Sequence, residues 1–485
     1  MPDRGDISGS LWRRLLHGAV TIIFATATAT AMAGFREIDR VVSAFRDGRV
    51  LDLGQGLARS EAGQPQTLML LGSDARPEWS PNYEKETRSD TIILLRLDPA
   101  GGGTSMLSLP RDLKVEIPGI GTRKLNAAYE EGGPRLALET VKRLTGLRIN
   151  HVVNVDFGGF RKAVNAIGCV YVDVDRRYFN DNSGLDDYAT IDVAPGYQRM
   201  CGRDALDFVR YRHEDNDIVR ASRQQEFLRQ AKQQVSVGDL ISDRQRLVRI
   251  FGRYTSSDIR SRAEVVRLVK LAVAAASRPI RDVHFRGEIG ASYVTTTPAA
   301  MRELTREFLG TGEKRTERPR RERPRRSRRS SRSRTPIALV DASVDGRAQA
   351  EAARARGAGI RVFYPTGRVT GSVFVDEPRL YDIDVPGEPG TRPRLYPSYR
   401  MVVKTDDVGQ NYGVQGTAWK NPPTLSGPAE IHRSNGRRFE VYKDGARVRL
   451  VAWRTPEAVY WVSNTLSRTL SEREMLALAE STRPL

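Results

Sequence analysis

The chain predicts an α/β fold: a layered α/β domain, preceded by a membrane anchor and followed by a disordered basic linker and a small C-terminal α+β domain. Three observations predict it. Between 65 and 312, short apolar runs alternate with stretches of helical period, the pattern of strands layered against helices. Within them, Thr91-Ile92-Ile93-Leu94-Leu95 is nearly continuous in apolar character, as a strand covered on both faces requires. Past an arginine-rich tract, 336–485 holds three of the five tryptophans, enough to imply a core of its own.

The elements follow in order. Residues 1–14 end in Arg13 and Arg14, and 15–35 is uncharged apart from the neutral His17. A stretch of about 20 such residues spans a bilayer. The flanking arginines keep 1–14 cytoplasmic and place the body outside the cell membrane, as a single-pass protein. Ala31-Met32-Ala33 leaves a cleaved signal peptide as the alternative. A juxtamembrane helix and connector is expected over 36–64. Strands are expected at 67–71, 91–97, 105–109, 152–155 and 170–174, and helices at 135–144, 218–235, 262–276 and 298–309. In the last unit, 439–443 and 446–453 read as a hairpin turning at Asp444-Gly445, with a closing helix at 471–479.

Charge is unevenly placed. Residues 314–334 carry 12 Lys/Arg against 2 Glu, a net +10 of the chain's +19. The segment 313–335 therefore reads as a disordered linker, and the high pI does not describe a basic fold. Export gives the two cysteines a meaning. In an oxidising compartment Cys169 and Cys201 predict one disulfide, with two buried thiols as the alternative.

The chemistry-bearing residues collect in two places. The 67–71 strand runs into Gly72-Ser73-Asp74-Ala75-Arg76, so Asp74 follows a strand end, where ligands of α/β sheets bind. Asp90 precedes the next strand in Arg88-Ser89-Asp90-Thr91. If the two strands are antiparallel neighbours, the carboxylates meet at one edge and, with phosphate oxygens, suit Mg²⁺. Each Asp alone also reads as a turn cap. Arg111 ends a further strand, and Arg88 lies two residues from Asp90. The second place is Arg210-Tyr211-Arg212 through Arg220 and Arg223-Gln224-Gln225. Arg220 and Gln224 share a helical face beside the apolar stripe Ile218, Ala221, Leu228 and Val235, at the rim of the core. Arginine forks pair bidentately with phosphate oxygens. The competing reading is a salt-bridge network with Glu214, Asp215 and Asp217.

Taken together, Leu71 to Arg76, Arg88 to Thr91, Ser108-Leu109-Pro110-Arg111-Asp112, Lys124-Leu125-Asn126-Ala127-Ala128-Tyr129 and the 210–225 segment resemble the LytR–CpsA–Psr family of membrane-anchored extracytoplasmic enzymes. The resemblance covers roughly 65–235. It implies a three-layer α/β/α domain over 65–312 that binds a polyprenyl-pyrophosphate lipid and transfers its glycopolymer to peptidoglycan through a phosphodiester. By motif position it implies Mg²⁺ on Asp74 and Asp90, pyrophosphate on Arg88, Arg111, Arg210, Arg212, Arg220 and Gln224, and catalysis by Arg111, Asp74 and Asp90. No GxSxG, HExxH, GxxxxGK[ST] or GxGxxG supports another enzyme class. Three alternatives remain: a pyrophosphatase on the same lipid, a non-catalytic wall-binding protein with 336–485 as its binding module, and nucleic-acid binding through 314–334.

Overall fold

Strand alternation explains how the first sheet is covered. In chain order the first unit contains β1 (Arg49–Val50), β2 (Gln66–Ser73), β3 (Ser89–Asp98), β4 (Gly103–Leu109), α1 (Ala127–Thr145), β5 (His151–Asp156), α2 (Phe157–Ala166), β6 (Val170–Val174), β7 (Gly196–Met200), α3 (Gly202–Arg210), α4 (Asp217–Gln234), β8 (Thr255–Ser257), α5 (Arg262–Ala276), β9 (Ile280–Val283) and α6 (Pro298–Leu309). Shorter strand pairs lie between them. The computed structural model describes 49–310 and 339–485, apart from 55, 60, 62, 74–88, 101–102, 184–188, 212–215, 235–254, 277–279 and 389. The expected anchor at 15–35 and linker at 313–335 lie outside the described residues. Among the described residues no helix is long and apolar enough to cross a membrane.

The sheet is mixed and seven-stranded, in the order β1-β8-β5-β2-β3-β4-β9. β2, β3 and β4 form an antiparallel meander, and β5 runs parallel to β2. Successive side chains point to opposite faces. Met69, Leu71, Ile92, Leu94, Leu107 and Leu109 pack with Ala137, Leu138 and Val141 of α1 and Met301, Leu304 and Phe308 of α6. Leu68, Leu95 and Leu97 pack on the other side with Leu271 and Ala275 of α5. Helices thus cover both faces, which is why the β3 run is apolar on both.

Several elements differ from expectation. Residues 49–50, inside the expected connector, add an edge strand beside β8. α1 starts at Ala127 and kinks at Gly132 and Gly133, where Gly133 adopts φ +61°. Pro134 opens the second segment, a position that tolerates its missing N–H, so the periodicity starts at Arg135. β6 forms over the expected 170–174, outside the main sheet. It pairs with β7 in a separate ribbon whose Val170, Val172 and Val174 pack with Phe208 and Phe227.

Cys169 and Cys201 are disulfide-bonded across this ribbon. Closing a loop of that length contributes roughly 3–4 kcal/mol in the chain-entropy picture. Replacing both cysteines by serine is expected to destabilise the protein by that order, read as a lower urea midpoint. An unchanged midpoint would mean the ribbon is held by packing alone.

The second unit contains α7 (Ser343–Ala355), β10 (Val373–Val385), β11 (Arg394–Lys404), β12 (Asn411–Thr417), β13 (Glu430–Ser434), β14 (Arg437–Asp444), β15 (Arg447–Arg454), β16 (Val459–Ser463) and α8 (Glu472–Ser481). Its strands form an antiparallel sheet in the order β10-β11-β12-β16-β15-β14-β13. Asp444 pairs with Arg447, so the β14–β15 turn centres on Gly445-Ala446, one residue later than expected. Gly445 takes φ +59°, the backbone conformation that its missing Cβ permits. α8 begins with a capping box between Ser471 and Glu474.

One face of this sheet is covered by α7 and α8 through Ala350, Ala353, Met475, Leu478 and Ala479. The other closes on the first unit: Tyr197 of β7 is buried with Ile383, Tyr442, Leu450 and Trp461. Asp173 of β6 enters the second sheet. It accepts hydrogen bonds from Arg400 Nη1 (2.8 Å), Gln415 Nε2 (2.7 Å), Trp461 Nε1 (3.1 Å) and Ser463 Oγ (2.7 Å). The two units therefore share a core.

That shared core corrects the reading of α4. Arg220 and Gln224 were expected at the rim of the core; they are only 5% and 7% exposed. Both units flank the helix, so its polar side chains are buried as well as its apolar ones.

Candidate functional site

The sheet edge that gathers the site is fixed by register. Ser73, at the end of β2, pairs with Ser89 at the start of β3, and with Asp156 at the end of β5. β4 ends beside the start of β3, with Leu109 opposite Ile92. β9, parallel to β4, ends at the same edge. The antiparallel neighbourhood that the two aspartates require is therefore present in the backbone. Asp90 lies between Ser89 and Thr91, where the β2–β3 register shifts. Asp74, Arg88 and Arg212 fall outside the described residues, as does the side chain of Asp90.

Arg111 and Arg220 come together on one carboxylate. Asp217 Oδ1 lies 2.7 Å from Arg220 Nη2 and 3.5 Å from Arg111 Nε. Its Oδ2 accepts from the Asp112 backbone N–H at 2.9 Å. Lys124 Nζ lies 3.1 Å from Asp112 Oδ1. These side chains line a cavity of about 190 Å³, closed on one side by the 289–294 loop. That loop is tied back by the Val294 N–H, which donates to the Asp112 carbonyl at 2.9 Å. The salt-bridge reading is met in part: Asp217 pairs with Arg220 and Arg111, and so ties two proposed phosphate-binding arginines together, while Glu214 and Asp215 lie outside the described residues.

Arg210 and Gln224 form an adjoining group. Gln224 Nε2 donates to Thr91 Oγ1 (2.9 Å) and to the Val209 carbonyl (3.2 Å), joining α4 to both β3 and the end of α3. Thr91 explains Gly72, since a Cβ at Gly72 would sit 2.9 Å from the Cβ of Thr91. Arg210 Nη2 donates to Asp207 Oδ1 at 2.6 Å, and its guanidinium lies 5.8 Å from the Phe157 ring centroid. Arg223, fully buried, does not line this cavity. It donates to the Tyr211 carbonyl and stacks near Tyr178 and Tyr211.

Lining residues not singled out from sequence include Lys124, Asp112, Asn216 and Tyr293. Lys124 and Asp112 lie inside stretches that carry the family resemblance, which was the available signal. Tyr293 lies far along the chain from those stretches and reaches the cavity only through the fold. Its ring centroid is 6.0 Å from Lys124 Nζ.

Comparison with known proteins places these residues in context. The LytR–CpsA–Psr family model matches residues 26–305. The polyisoprenyl-teichoic acid–peptidoglycan teichoic acid transferase TagV of Bacillus subtilis is 34% identical over 34% of this chain and 42% of its own length. The corresponding transferase TagU of Enterococcus faecalis is 32% identical over 38% of this chain and 58% of its own length. The chain thus spans about half the length of these curated relatives. The crystal structure of B. subtilis TagT aligns with TM-score 0.42 and 22% identity, over 54% of this chain and 98% of that one.

Proposed function

Because this chain belongs to the LytR–CpsA–Psr family, we propose that it transfers a glycopolymer from a polyprenyl-pyrophosphate carrier to peptidoglycan, in a magnesium-dependent reaction. The observation that carries the reading is the sharing of Asp217 by Arg111 and Arg220 at a sheet-edge cavity with Lys124. The similarity to TagV and TagU, teichoic acid transferases to peptidoglycan, supports it.

In the proposed reaction an acceptor sugar hydroxyl attacks the glycan-side phosphorus. Its O–P bond forms as the bond to the bridging oxygen breaks. Polyprenyl phosphate leaves, the hydroxyl proton is released, and a phosphodiester remains. Such a displacement needs charge neutralisation and alignment more than covalent help. Arg111 and Arg220 would meet the phosphate oxygens, with Asp217 fixing their forks. Arg210 and Gln224 would extend the contact, and Arg88 and Arg212 complete the set by motif position.

Asp74 and Asp90 would hold Mg²⁺. The Ser73–Ser89 pairing fits this, since each serine immediately precedes one of the two aspartates. Ser73 Oγ, fully buried, also has no hydrogen-bond partner among the described residues. When bound, the ion would neutralise phosphate charge. We place the anchor at 15–35 and the body outside the membrane, where the Cys169–Cys201 disulfide is stable.

The test is an assay of the purified chain with a synthetic lipid-linked donor, with and without peptidoglycan and Mg²⁺. Coupled product that depends on both is expected. Donor hydrolysis without coupling at every acceptor concentration would point to a pyrophosphatase. Wall binding with no donor consumption would point to a non-catalytic protein.

A further inference from the structure

α4 is a polar helix buried by two units at once. From the first unit, the Val283 carbonyl accepts from Gln225 Nε2 at 3.2 Å. From 339–485 come Arg468, Asp444 and Ser467. Arg468 is ion-paired with Glu226 of α4, which also pairs with Arg229 one helical turn on. Asp444 lies 3.1 Å from Arg468 and 3.4 Å from Arg229. Ser467 Oγ is 3.1 Å from Ser222 Oγ. All of these charged side chains are at most 6% exposed.

Electrostatics agree with a closed network. Burial pushes the Glu226 carboxyl up, but Arg229, Arg468 and Arg449 outweigh it and hold the group well below the usual carboxylate range. Asp444 is held low by the same guanidinium groups against burial. Arg468 itself has φ +55°, left-handed backbone that a non-glycine residue adopts at a cost. Its Nη1 donates to the Thr465 carbonyl at 3.0 Å, so the loop is built around the guanidinium.

We propose that residues 339–485 clamp the pyrophosphate-binding helix, with Arg468 as the positioning residue that sets Arg220 and Gln224 at the sheet edge. This rests on the pyrophosphate reading above. Glu226 lies two residues from Gln224 and six from Arg220, so the clamp acts about 3 Å and 9 Å along the axis from the groups it positions. Misplacing binding groups by about 1 Å costs up to roughly 100-fold.

The experiment titrates the full chain with geranylgeranyl pyrophosphate, reading affinity and stoichiometry for wild type, Arg111→Ala, Arg468→Lys and Arg468→Ala. Arg468→Ala is expected to weaken binding about 10- to 100-fold and Arg468→Lys to restore part of it, both keeping one site per chain. A merely structural role would instead lower the number of competent sites at unchanged affinity, and would overturn the proposal. If Arg468→Ala is recovered unfolded, Arg468→Lys decides: weakened binding supports the clamp and wild-type affinity overturns it. Wild-type binding lost in Arg111→Ala but intact in both Arg468 variants would sink the clamp alone. No binding by the wild type would sink the pyrophosphate reading, and the clamp with it.

Discussion

Replacing Arg111 by alanine is expected to lower donor turnover roughly 100- to 1,000-fold, the usual loss when one preorganised donor to developing charge is removed. The melting temperature should move little. Arg111 is about one-fifth exposed, and Asp217 keeps Arg220 at 2.7 Å and the Asp112 N–H at 2.9 Å without it. No buried charge is orphaned, so the loss should fall on function. Arg111→Lys should recover only part, because an ammonium offers a point charge where the guanidinium offers a fork. Arg220→Ala is a less clean experiment. Arg220 and Asp217 are both nearly buried, so removing the guanidinium also strips Asp217 of its shortest ion pair. Near wild-type turnover in a folded Arg111→Ala protein would remove this arginine from the mechanism.

Asp173→Ala is expected to have the largest effect on stability, about 3–5 kcal/mol, the range for breaking a buried pair by deleting one partner. Asp173 accepts from Arg400, Gln415, Trp461 and Ser463, and the Arg400 side chain is 0% exposed. Its loss leaves a buried guanidinium facing uncharged donors. The change should appear as a lower urea midpoint, and in Trp461 fluorescence, since the indole N–H loses its acceptor. Asp173→Asn should cost less because a carbonyl still accepts. Wild-type midpoints for both variants would show that the two units adhere through Tyr197 and its apolar neighbours alone.

Local signals account for what was legible before the fold was known. The β3 run Ile92 to Leu95 announced a strand covered on both faces, and the helix expected at 298–309 is α6, with Pro298 in its first turn and Gly310 as its C-cap. The motif stretches that carried the family resemblance contain Arg111, Arg210, Arg220 and Gln224. The errors have one physical source. Helical period places a side chain on a face, but it does not say what covers that face. So Arg220 and Gln224 read as a rim although a second unit buries them, and the Asp217 ion pair was legible on its own helix but not its reach to Arg111. The strand at 170–174 was legible, but not its partner, because pairing partners are chosen by tertiary packing, here within the Cys169–Cys201 ribbon. The Gly445-Ala446 turn was displaced by one residue because composition marks a turn but register is set by the paired strands.

Local sequence sets which residue types stand at strand ends, and carboxylates and arginines recur there in an order that suits a phosphate. Those properties are local, set by backbone period and side-chain chemistry. Tertiary packing was needed to bring Asp217 to Arg111, Gln224 to Thr91, and Asp173 and Arg468 to their partners between 339–485 and the first unit. Apart from the Asp217–Arg220 pair on one helical turn, these are contacts between residues about 100 to nearly 300 positions apart, and nothing in local period or propensity encodes which distant surfaces will exclude water together.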